Sequence, residues 1–213
     1  MKKTLLLTLC CVSLIVACGP TIYKSQEFDS ALARHKTVAI LPADVSMKLR
    51  PNEAKKYTAN QVLDMEQKTG YDIQDKMYSW FLRRSEKYHY TVTFQDVSRT
   101  NALLKQAGIE YNDLIAKDRA ELAKILGVDA VIQNRTQMDK PISTGGAIVL
   151  AAVIGFGATT NHVTTTINIH DGKSGNLLWK YDYEASGSLG SSTDNLVDAL
   201  MRNASKKFPY KTS

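Results

Sequence analysis

Ala120–Thr136, AELAKILGVDAVIQNRT, changes periodicity in its middle, and that change decides the fold class. Up to Leu126, the residues Ala120, Leu122, Ala123, Ile125 and Leu126 recur at helical spacing and give one apolar stripe. Asp118 precedes them and Gly127 stops them, so a helix is expected over about 118–126. Val128-Asp129-Ala130-Val131-Ile132-Gln133 then enters a strand. A helix that runs through a single glycine into an apolar strand is the joint of an α/β unit.

The chain outward from this joint repeats the alternation. Thr37-Val38-Ala39-Ile40-Leu41, ended by Pro42, reads as a strand buried on both faces. Residues 46–65 are polar and read as loop with some helix. Ile73, Met77, Trp80 and Phe81 mark the buried face of a helix over about Gly70–Lys87, and Tyr90–Val97 reads as a strand. Ser98 is the expected N-cap of a short helix to Gln106, closed by Gly108. After Pro141 the composition changes: Gly145–Ala158, GGAIVLAAVIGFGA, is wholly apolar. A helix of that length is too short to cross a bilayer core of about 30 Å. His162–His170 alternates, Asp171–Asn176 is dense in turn residues, and Leu177–Glu184 returns as a strand, which together make the best hairpin in the sequence. Ser192–Phe208 closes as a helix with Leu196, Val197, Leu200 and Met201 inward.

The N-terminus addresses location. Lys2 and Lys3 precede an apolar run from Leu5 to Val16, and Ile15-Val16-Ala17-Cys18 ends it. The run has the length of a signal peptide. Cleavage between Ala17 and Cys18 places a cysteine first in the mature chain, where its thiol takes a diacylglycerol and its amine an acyl chain. The segment resembles the lipobox of bacterial lipoproteins. Cys10 and Cys11 leave with residues 1–17, so Cys18 is the one remaining thiol and no disulfide is expected. Residues 18–35 read as a flexible tether, 36–208 as one α/β domain with the apolar insertion 145–158, and 209–213 as a tail. The whole chain carries a net charge of +6, or about +4 once Lys2 and Lys3 depart. That mild excess, in an exported protein, does not point to nucleic acid.

Catalytic patterns are scarce. There is no Gly-x-Ser-x-Gly elbow. The glycines of 145–157 lack the Lys-Ser/Thr that a phosphate loop needs. Asp171-Gly172-Lys173-Ser174-Gly175 lacks the terminal glutamate of a calcium loop and reads as a turn. His35, His89, His162 and His170 are scattered; His162 and His170 stand at opposite ends of one strand, roughly 26 Å apart, and read as exposed strand-end residues. No enzyme, metal or free cofactor is expected. The apolar segment is left, with Ile148, Leu150, Val153, Ile154 and Phe156 as its bulky members. It reads either as core or as a contact surface for membrane or a neighbouring subunit.

The strand Lys36–Pro42, the long amphipathic helix, Ala120–Thr136 and the hairpin Ile167–Trp179, in this order after a lipobox, resemble the family of CsgG/LpoB-like envelope lipoproteins. The resemblance spans about residues 36–208. It implies a non-enzymatic three-layer α/β sandwich, a mixed sheet packed by helices, similar to the N-terminal domain of TolB. It further implies an outer-membrane lipoprotein acting in envelope assembly or secretion, with other envelope proteins and further copies of itself as partners. Gly19 in place of aspartate fits the outer membrane. Two narrower roles stand beside this: a secretion-channel subunit, and an activator of a cell-wall synthase. Channels of this family use two membrane hairpins per subunit, and here one apolar segment is evident.

Overall fold

The computed structural model describes residues 21–49, 51–141, 160–186 and 193–211. Seven strands form one mixed sheet: β1 (Thr21–Lys24), β2 (Thr37–Ile40), β3 (Asp44–Lys48), β4 (Thr93–Phe94), β5 (Ala130–Pro141), β6 (Thr160–Asp171) and β7 (Leu177–Ser186). The spatial order is β1-β7-β6-β5-β2-β4, with β3 also paired to β5. The helices are α1 (Phe28–Leu32), α2 (Pro51–Ala54), α3 (Ala59–Tyr88), α4 (Val97–Gln106), α5 (Arg119–Leu126) and α6 (Thr193–Lys207), with a 3-10 turn at Tyr111–Ile115.

β2 is the central parallel strand that its unbroken apolar run requires; Val38, Ala39 and Ile40 are fully buried between β4 and β5. Pro42 has no N–H to give the ladder and interrupts it. Val38 pairs with Ala130, yet Asp44 pairs with Arg135, so three residues (41–43) stand opposite two (133–134). β2 and β3 are thus one strand line with a bulge in it. Tyr111 pins the bulge: its hydroxyl donates to the Ala43 carbonyl (2.6 Å) and accepts from the Val45 N–H (3.1 Å).

α3 starts at Ala59, well before Gly70, because Thr58 and Gln61 form a reciprocal capping box and Val62 and Met65 pack the first turns on the core. His89, at φ 45°, ends the helix in the left-handed region. Gly70 is therefore interior. A Cβ there would lie 2.3 Å from the Ala43 carbonyl oxygen and 2.7 Å from the Tyr111 ring, so glycine lets α3 run against the bulge. Asp96, and not Ser98, caps α4, accepting from Ser98 N (2.8 Å) and Arg99 N (3.2 Å). Asp118 caps α5, and Gly127 closes it at φ 66°.

One face of the sheet packs against α1, α3 and α6. Its core centres on Ile73, Met77, Phe81, Ile132, Ile167, Trp179, Leu200 and Phe208. α4, α5 and the 3-10 turn cover the other face over β2 and β5, burying Leu41, Leu104, Tyr111, Leu122, Leu126 and Val131. The molecule is the expected mixed α/β sandwich, with three layers over that half of the sheet.

Two boundaries read from the sequence are corrected. Residues 18–35 are not a tether throughout. From Thr21 the chain forms β1, paired with β7, and then α1, whose Phe28 and Ala31 are buried. Residues 209–213 are not merely a tail, because Tyr210 is 1% exposed and Thr91 donates to its carbonyl at 2.7 Å. Tyr90–Val97 contributes only the two-residue β4. β5 runs on to Pro141, past the end of its apolar run, because its polar second half is held between β3 and β6.

Candidate functional site

The sheet has two ends of different character. At the turn end lie Ala130, Asp171 and Leu177. At the opposite end, β5 and β6 stay in register until Pro141 faces Thr160, and His162 faces Ser186. Residues 142–159 therefore connect two neighbouring strands, about 5 Å apart, at this end of the sheet. Residues 187–192 leave β7 at the same end and lead to α6 at Thr193. Ile148, Leu150, Val153, Ile154 and Phe156 lie within 142–159, outside the described residues. Ala17 and Cys18 also lie outside them, ahead of Thr21.

The turn end holds a buried polar cluster that the sequence did not disclose. His35 stands between Tyr210 (Oη to Nδ1, 2.6 Å) and Asp171 (Oδ1 to Nε2, 2.9 Å). The side chains of His35 and Asp171 are 2% and 5% exposed. Asp171 also accepts from the Ser174 N–H and hydroxyl (2.9 Å each), which closes the β6–β7 turn, and from Arg34 (3.3 Å). Burial pushes the Asp171 carboxyl up, but the hydrogen bonds from His35 and Ser174 outweigh it and hold the group below the ordinary aspartate value. A carboxylate only accepts, so Nε2–H donates to Asp171, and Nδ1 shares the second hydrogen bond with the Tyr210 hydroxyl. Burial, with Asp171 and Asp129 nearby, holds the Tyr210 hydroxyl far above its usual pKa. Asp129 sits alongside and accepts from the N–H groups of Lys36 and Thr37 at 2.8 Å each.

Chemically this is a chain of hydrogen bonds, tyrosine to imidazole to carboxylate, that can orient a proton. With Tyr210 1% exposed, no substrate reaches its hydroxyl. The cluster ties three distant parts of the chain together: the start of β2, the β6–β7 turn and the C-terminal residues. No sequence signal marked it, because its members are up to 175 residues apart.

His170 is not an exposed strand-end residue. It is half-buried, its Nδ1–H donates to the Gly175 carbonyl (3.1 Å), and burial lowers its pKa. β6 holds His162 and His170 at opposite ends, as expected. Among the described residues no group of three or more His, Cys, Asp and Glu could hold a metal. No described helix is long and apolar enough to cross a membrane. A shallow cleft opens where Pro42 breaks the strand line, lined by Leu41, Pro42, Asp44, Tyr111, Leu114, Ile115 and Gln133. Arg135 engages the Asp44 carboxylate at 2.6 Å, and burial drives the Tyr111 hydroxyl up to about 12, so that hydroxyl is no acid or base there near neutral pH.

No protein-family model and no curated protein sequence matches the chain. Solved structures do resemble it. Lipoprotein GNA1162 from Neisseria meningitidis is 16% identical, with a TM-score of 0.47 over 81% of this chain and 96% of that one. The PelC dodecamer from Paraburkholderia phytofirmans is 13% identical, with a TM-score of 0.42 over 87% and 95%. The LpoB C-terminal domain from Salmonella enterica is 9% identical, with a TM-score of 0.35 over 75% and 96%.

Proposed function

We propose that the chain is a lipid-anchored protein of the outer membrane that acts in envelope assembly or secretion by binding other proteins, and not by catalysis. The observation that carries this reading is the lipobox, Ile15 to Cys18, close ahead of a strand built into the sheet. Diacylglycerol and an N-acyl chain on Cys18 supply the membrane attachment. The apolar segment supports the same reading. It lies in the connection between β5 and β6, and Ile148, Leu150, Val153, Ile154 and Phe156 give it the bulk to seat against a membrane or a neighbouring subunit. The buried His35–Asp171 pair ties the start of β2 to the β6–β7 turn, and its solvent-inaccessible setting fits a structural role and not a hydrolytic one.

The test is purification from membranes in mild detergent, followed by native mass measurement. A hetero-complex, or a homo-oligomer that requires residues 145–158, supports the reading. A ring of many copies would narrow it to a secretion-channel subunit, and co-purification of a peptidoglycan synthase would narrow it to an activator. Cys18→Ser should move the protein from the detergent phase to the aqueous phase. Unchanged partitioning of that variant would remove the anchor, and a monomer of formula mass would remove the assembly role.

A further inference from the structure

Basic side chains gather at the turn end of the molecule. α3 finishes there with Arg83, Arg84 and Lys87, and α6 finishes beside it with Lys206 and Lys207, followed by Lys211. The two helix ends are locked together. Phe81 packs on Phe208 with ring centroids 4.5 Å apart, and Tyr90 bridges to Lys211. The cations are positioned by their neighbours. Arg83 and Arg84 lie over the Trp80 ring at 5.2 and 4.8 Å, Lys87 lies 5.9 Å from the Tyr88 ring centre, and Lys211 donates to the Lys206 carbonyl at 2.8 Å.

The stretches 83–87 and 206–211 carry these six cations and one acidic residue, Glu86; Asp198, at the border, accepts from the Trp80 indole N–H. With Asp198 counted, the resulting +4 compares with +6 for the entire chain. Arg34, Lys36 and Lys173 add to it from the adjoining strand ends, against Asp129 and the buried Asp171. Two helix C-termini present about half a negative charge each, which one or two cations satisfy.

We propose that this pole binds an acidic polysaccharide. The charges spread over three segments and do not converge on one point, so they fit a polymer of repeated negative charge better than a single small anion. Lysine supplies four of the six. Cores of protein interfaces are depleted in lysine and built on apolar anchors, and Leu82 is the one exposed large hydrophobic residue adjoining the patch among those described. Flexible ammonium groups instead follow a charged chain by displacing its counterions. The choice of a glycan over a nucleic acid rests on the envelope location proposed above; the charged surface itself does not.

The test uses the full chain in mild detergent with polygalacturonate, neutral dextran and duplex DNA as probes, and the detergent-free Cys18→Ser variant, which has no acyl chains, with phosphatidylglycerol vesicles. Polygalacturonate should bind with an affinity that falls as salt rises, and dextran should not bind. K206Q/K207Q/K211Q should weaken polygalacturonate binding by about tenfold or more at low salt. K55Q/K68Q/K105Q removes as many exposed charges elsewhere and should change it by less than about twofold. Thermal unfolding of both triple variants serves as the check on folding. Equal losses in the two variants, or DNA or vesicles bound as tightly as polygalacturonate, would overturn the assignment. Cys18→Ser separates it from the anchor, since polymer binding should survive in that variant.

Discussion

His35 shows how much one side chain can decide. Its ring is the middle of a buried chain from Tyr210 to Asp171, and each neighbour depends on it for a hydrogen bond. His35→Ala would leave a buried carboxylate short of a donor and a buried hydroxyl without its partner. A loss of about 3 kcal/mol in denaturant unfolding is expected. The pH dependence has a definite sign. Asp171 titrates below 3.8 in the folded protein, so its contribution to stability is fully present above that value and is lost as pH falls through the lower, folded value. Asp171→Asn should flatten stability against pH in this acid window, at the cost of a lower plateau near neutrality. A variant with the same acid slope as the parent would assign the slope to other carboxylates.

At the level of elements, the close passage of α3 over the β2–β3 bulge is the tightest joint in the fold. Gly70→Ala forces a methyl group against the Ala43 carbonyl and the Tyr111 ring. Backbone and a buried ring must both shift, which costs about 2 kcal/mol or more against the small gain in helix propensity. The midpoint of urea unfolding reads this, and an unchanged midpoint would mean that the helix can slide. Elements with a local signature were legible from sequence. Helix 119–126 has its Asp118 cap, its apolar stripe and its closing Gly127, and the β6–β7 hairpin has its alternation and turn residues. Elements held only by distant partners were not. The second half of β5 is polar, since Asn134 and Thr136 are buried but bond to each other and to Thr165, so no apolar pattern announces it. β1 has four exposed residues and a ladder to β7 that local sequence cannot show.

For the whole molecule, the N-terminal and C-terminal segments belong to the core. Phe28, 4% exposed, packs in the same cluster as Trp179 and Phe208. Phe28→Ala should cost about 3 kcal/mol in thermal or chemical unfolding. A tether would tolerate the change without loss. The candidate site divides in the same way. The lipobox and the apolar segment were visible because each is a contiguous run. The hydrogen-bonded cluster at His35 and the basic pole were hidden because folding alone gathers them.

On the proposed anchoring, the short chain distance between Cys18 and β1 sets how the protein hangs from its membrane. Only Gly19 and Pro20 separate Cys18 from Thr21, a reach of about 10 Å when fully extended. With acyl chains on Cys18, the β1 edge is moored at the bilayer surface and the domain pivots there without drifting away. Ile22 and Tyr23, 37% and 49% exposed, then ride at headgroup depth. On that anchoring, partners meet the domain close to the bilayer surface.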